Sequence, residues 1–157
     1  MAIAIATLPV ALPHEALGGS DWADACRITI PPRYGTARQA AEAGFARFPA
    51  WAAALMVARN LIMRPFGLKT DNSQIAARDR AGMFPVVSET PGRVVLGMDD
   101  KHLDFRCVVD LVSSGETQEI TVSTVIRRHN WLGRTYLALI TPFHRLIVRS
   151  MMRRIAR

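Results

Sequence analysis

Five stretches read as strands, Cys26–Ile30, Met83–Glu89, Arg93–Asp99, His102–Val112 and Gln118–Arg128, and in the first, fourth and fifth apolar and polar positions alternate with a period of two. Such alternation predicts half-buried strands. The last four are separated only by Thr90-Pro91-Gly92, Asp99-Asp100-Lys101 and Ser113-Ser114-Gly115-Glu116. Connections this short imply an antiparallel meander. Within the meander, Leu103, Phe105, Cys107, Val109 and Leu111 fall on one face, while His102, Asp104, Arg106 and Asp110 take the other. Ile120, Val122, Thr124 and Ile126 are expected to face the same core, with the Thr124 hydroxyl pointing inward.

The period changes to that of a helix in three places. Thr36 with Gln39 is a capping-box pattern opening an alanine-rich helix in which Ala37, Ala41, Phe45 and Phe48 share a face. Pro49 fits the first turn of a second helix to about Met63, with Trp51, Leu55, Ala58 and Ile62 on one side and Arg59 on its shoulder. After Asn130, an expected cap, Tyr136, Ile140, His144, Ile147, Met151 and Ile155 recur at three- and four-residue steps, and Arg145, Arg149 and Arg153 line another face. Pro142 predicts a kink or a second helical segment capped by Thr141. Residues 1–20, broken by Pro9, Pro13 and Gly18-Gly19, read as an irregular arm. Ser20–Ala25 is at most one helical turn, and Lys69–Gly82 a polar loop. Residues 21–157 then form a single α+β domain: a curved antiparallel sheet packed on a long C-terminal helix, with two short helices after the first strand. That element order is helix-grip-like.

A chain of 157 residues buries roughly 68–70% of its unfolded surface, enough for a core without disulfides or metal. Cys26 and Cys107 are expected as buried free thiols in a reducing compartment. The apolar start lacks the cationic flank of a secretory signal, so the cytoplasm is the expected location. Eighteen of the twenty cations are arginine, and eight arginines with no Asp or Glu lie between Arg127 and the end. Such a segment is either a solvated face or a contact for an anionic membrane surface or acidic partner. Sparse aromatics without basic interleaving give nucleic acid no support.

Pro49-x-Trp51, Leu55-Met56 with Arg59-Asn60, Phe66-Gly67-Leu68, Leu96-Gly97 with Asp100, His102-Leu103-Asp104-Phe105-Arg106, His129-Asn130-x-x-Gly133-Arg134-x-Tyr136, Pro142-Phe143-His144 and Ile147-Val148 together resemble an uncharacterised bacterial domain family. That family is similar to START/SRPBCC-type helix-grip domains, and related segments occur fused behind short-chain-reductase-like domains. The resemblance spans roughly residues 20–157. It implies the fold and, with it, an apolar cavity between sheet and last helix, but supplies no catalytic residues.

Phosphate-loop, nucleophile-elbow, zincin and dinucleotide fingerprints are absent from the sequence. The leading expectation is a small apolar ligand held between Phe105, Cys107, Val109, Val122 and Thr124 of the sheet and Tyr136, Ile140, His144 and Ile147 of the helix. His144 or His102 would be the acid/base of an enzymatic alternative, with Thr124, Tyr136 or Asp104 as the partner of His144. Arg106, Arg128, His129, Asn130 and Arg134 are candidates for holding an anion, against a reading in which Asn130 caps and the arginines pair with Asp99, Asp100 or Asp104. Asp100, His102 and Asp104 have metal-ligand chemistry, with His129 or His144 needed to complete a set. A cross-strand salt-bridge ladder with Arg106 explains them better, and neither metal nor cofactor is expected.

Overall fold

The computed structural model describes residues 3–47, 49–66 and 79–157, the side chains of 55, 56, 59, 60, 62, 63 and 66 excepted. The elements in order are β1 (Ala6–Leu8), β2 (Trp22–Ile30), α1 (Ala37–Phe45), α2 (Ala50–Met63) with a 3-10 turn (Arg64–Phe66), β3 (Arg80–Ala81), β4 (Phe84–Thr90), β5 (Arg93–Asp99), β6 (Leu103–Ser114), β7 (Thr117–Arg128) and α3 (Trp131–Ile155). They form an α+β architecture: an antiparallel sheet ordered β1-β2-β7-β6-β5-β4-β3, with the C-terminal helix packed on it.

The meander follows the alternation. Ser114 pairs with Thr117 across a two-residue turn whose first residue, Gly115, has φ +58°, a backbone state that glycine reaches without strain. A register shift between Val86 and Ser88 bends the β4–β5 edge, as bulges do.

Two N-terminal expectations are corrected. Trp22–Ala25 is not a helical turn but the first half of β2, paired residue for residue with Ile126–Ser123 of β7. The long β7 ladder imposes extended structure on Ala23, Asp24 and Ala25, residues of low strand propensity. Within the segment expected to be irregular, Ala6–Leu8 add β1 to the free edge of β2. The rest of that arm crosses the back of the sheet. Glu15 pairs with Arg93, which also holds Asp110, and the Arg127 guanidinium donates to the Gly18 carbonyl. Leu17 and Ser20 are buried.

Both faces of the sheet are therefore covered, and Val94, Val95 and Leu96 are buried in succession, the pattern of a two-sided strand. On the front, Ile28, Leu96, Val109 and Ile120 pack with Ala37, Ala40 and Ala41 of α1 and with Val148, Met152 and Ile155 of α3. The small face of α1 lets α3 approach closely; a Cβ on Gly44 would stand 2.6 Å from Met151. The Tyr34 hydroxyl donates to the Ile155 carbonyl at 2.7 Å, filling one of the acceptors a helix end leaves open.

Thr36 caps α1 through the Gln39 N–H, and Gln39 reaches back to the Gly35 N–H. Ala37, Ala41 and Phe45 face inward as the spacing predicts; Phe48 lies outside the described residues. For α2 the expected inward side is not found: Trp51 and Ala58 are exposed and Ala52 is buried, while Leu55, Arg59 and Ile62 lie outside the described side chains. Most of the predicted polar loop, and the Gly67-Leu68 part of its motif, also fall outside. α3 is one continuous helix through Pro142. Thr141 does not cap a new segment; its hydroxyl donates to the Leu137 carbonyl at 2.6 Å, a back-bond into the preceding turn. Its buried stripe is Gly133, Leu137, Val148, Met151, Met152 and Ile155, which shares Met151 and Ile155 with the predicted one but is rotated from it before them, so that Tyr136, Ile140, His144 and Ile147 are half-buried at its edge.

Candidate functional site

Strand register builds the site. Asp24 of β2 and Cys107 of β6 both stand opposite Thr124 of β7. Directly opposed residues share a face, so carboxylate, hydroxyl and thiol form a row across three strands on the side that α3 covers. α3 lowers His144 onto this row, with Nε2 3.1 Å from Asp24 Oδ1 and each side chain 20% exposed. A carboxylate only accepts, so in this pair the Nε2–H donates, and in the neutral form of the ring Nδ1 carries the lone pair. Trp22, two residues before Asp24 on the same face, meets the imidazole edge-on at 5.8 Å and 74°.

Asp24 is the partner that sequence reasoning missed. Asp104, one of the partners expected for His144, is held by His129 at 3.0 Å. Trp22-Ala23-Asp24-Ala25 carries no apolar–polar alternation of its own, and its strand state comes from pairing with β7.

Burial pushes the Cys107 thiol up to about 12, with the Asp24 charge adding to it. Burial raises Cys26 too, helped by Asp24 and opposed by Arg149. Both cysteines are free and buried, and a thiol without thiolate is a poor nucleophile. Neither is expected to react with a disulfide-exchange reagent at neutral pH until denaturant is added. A thiol titrating rapidly in the native chain would contradict this burial.

The front face divides along its length. Cys107, Val109 and Val122 belong to the packed core with Met152 and Ile155. Toward the other end, Trp22, Met98, Leu103 and Phe105 on the sheet are only half-buried, as are Tyr136, Ile140, His144 and Ile147 on the helix. Thr124 is buried between the two regions. Phe105 contacts Phe84 edge-to-face at 5.1 Å, and Phe84 contacts Phe45 at 5.5 Å. The His144–Asp24 pair thus sits in a half-open apolar region whose one end is closed by packing.

The polar residues at the β7–α3 corner make a different arrangement. Asn130 Oδ1 accepts from the Gly133 N–H at 3.0 Å and its Nδ2 lies 2.9 Å from His102 Nδ1. Arg106 is held by Asp99 at 2.7 Å and Arg128 by Asp21 at 3.2 Å. Register puts these two arginines on opposite faces, Arg128 opposite Leu103 and Arg106 opposite Val125. They are committed to carboxylates rather than converged, and Arg134 is exposed. Among the described residues no group of three His, Cys, Asp or Glu could hold a metal ion. No described helix is long and apolar enough to cross a membrane.

The model of one protein family matches residues 16–151. The chain belongs to the DUF2867 family, described as protein of unknown function. Neither the curated proteins nor the solved structures give a match. The matched span of this DUF2867 chain contains β2 through most of α3, and with them Trp22, Asp24, Thr124 and His144.

Proposed function

We propose that this DUF2867 domain binds a small, largely apolar molecule at the half-buried end between sheet and α3, with the His144–Asp24 pair as its polar anchor. The observation that carries the reading is the placement of that pair, reachable from solvent, among half-buried apolar side chains on both walls. Ligand sites have this composition: apolar walls with a few placed polar groups. The resemblance to START/SRPBCC-type helix-grip domains supports the same location, and the two unpaired cysteines fit a cytoplasmic setting.

A thermal-shift panel of fatty acids and long-chain alcohols tests it. A ligand at about a hundred times its Kd stabilises by about 2.7 kcal/mol, a readily measured rise in Tm. Ile140→Trp, which fills the space at a half-buried position, is expected to abolish the shift while leaving the far-ultraviolet circular dichroism unchanged. A panel with no active member, or a shift that survives Ile140→Trp, sinks the reading.

One observation favours an enzymatic second reading. Asp24 fixes the His144 ring and leaves Nδ1 as a base, the arrangement general acid–base chemistry needs. His102, tied to Asn130 beside the α3 N-terminus, is the weaker candidate. Once a ligand is in hand, His144→Ala should remove turnover while affinity remains; unchanged turnover eliminates catalysis by this residue.

A further inference from the structure

The outward side of α3 is chemically unlike a solvated helix face. Trp131, Leu139, Phe143 and Leu146 are 71%, 69%, 42% and 55% exposed. Leu139, Phe143 and Leu146 follow one another at four- and three-residue steps, so they form one stripe. Arg145, Arg149 and Arg153, at four-residue steps, form an exposed stripe beside it. An ordinary surface helix turns mixed polar charge outward, yet the whole of α3 contains no Asp or Glu.

Several cations on the sheet and α1 are neutralised. Arg27, Arg38, Arg93, Arg106 and Arg128 each hold a carboxylate. Among the described residues, none pairs with Arg134, Arg145, Arg149 or Arg153. α3 carries five arginines and no acid, so five of the chain's seven net positive charges lie on the helix that also exposes the apolar stripe.

We propose that α3 docks lengthwise on an anionic phospholipid bilayer surface, Leu139, Phe143 and Leu146 entering the headgroup–acyl boundary while the arginines meet lipid phosphates. A helix that is amphipathic in this sense lies in the interface, and Trp131 is a residue type enriched there. A second copy of the chain would bring two acid-free arginine rows together and be repelled. A nucleic acid would satisfy the arginines but leave the leucines and Phe143 without apolar cover. The inference concerns the side of α3 facing away from the sheet and stands whether or not the site beneath holds a ligand.

Co-sedimentation of the full chain with phosphatidylcholine vesicles, and with vesicles also containing phosphatidylglycerol, tests it. Binding is expected only to the anionic vesicles, weakening as salt rises. Arg145→Gln and Arg149→Gln should each weaken partition about five-fold. Leu139→Ser with Leu146→Ser, at exposed sites that leave the melting temperature unchanged, should also release the protein. Equal binding to neutral vesicles overturns the proposal. So does an unaffected serine pair, which means charge adhesion without insertion, or binding to duplex DNA or an acidic polypeptide with none to vesicles.

Discussion

Met152→Ala is expected to lower the unfolding free energy by about 2–5 kcal/mol, the range for truncating a fully enclosed large side chain. Met152 is 0% exposed and lies where α3, α1 and the sheet meet. The surrounding wall includes Ile28, Leu96 and Ile120, all essentially without solvent contact. Such a wall relaxes only partly around a void, so a cavity term adds to the lost transfer energy. Leu137→Ala, also on the buried stripe, should fall in the same range. Leu139→Ala, on the outward stripe, should stay within about 0.5 kcal/mol, as exposed substitutions do. Urea unfolding of the three variants reads out the rotation of α3 directly. Similar losses for Leu137→Ala and Leu139→Ala would mean that another face of the helix is buried.

The rotation shows what periodicity can and cannot convey. Apolar residues at helical spacing identify an amphipathic α3, but this helix carries Leu139, Phe143 and Leu146 outward as well as Leu137, Val148 and Met152 inward. Two apolar stripes leave the phase open, and the predicted stripe met the inward one at Met151 and Ile155 while its first four residues fell between the two. The front faces of β6 and β7 were legible because their alternation has one solution. The back face was not, since a strap without regular repeats covers it. Its trace was Val108, an apolar residue, fully buried, in the series Asp104, Arg106, Val108, Asp110. Half of the candidate site was legible for the same reason: His144 and Thr124 sit on periodic elements. Asp24 was not, because the strand state of Trp22–Ala25 comes from pairing with β7 rather than from its own residues.

Gly133→Ala should cost roughly 2–4 kcal/mol, combining an overpacking penalty with loss of a helix cap. A Cβ at this position would stand 2.1 Å from the His102 carbonyl oxygen, and that carbonyl is not free to retreat. It accepts from the His129 N–H at 2.9 Å, and the His102 ring is held by Asn130, which also caps α3 at Gly133. The clash sets a Cβ against a backbone oxygen, so no rotamer change relieves it. Relief requires lifting the first turn of α3, which breaks the Asn130 bridge. Gly18→Ala is the matched control: a Cβ there meets nothing within 4 Å, and stability should hold or rise slightly. A Gly133→Ala loss below about 1 kcal/mol would mean that α3 does not rest on the His102 turn. Because this contact sets the height of the helix over Trp22 and Phe105, the same variant should change any ligand-induced Tm shift even though it touches no ligand-facing side chain.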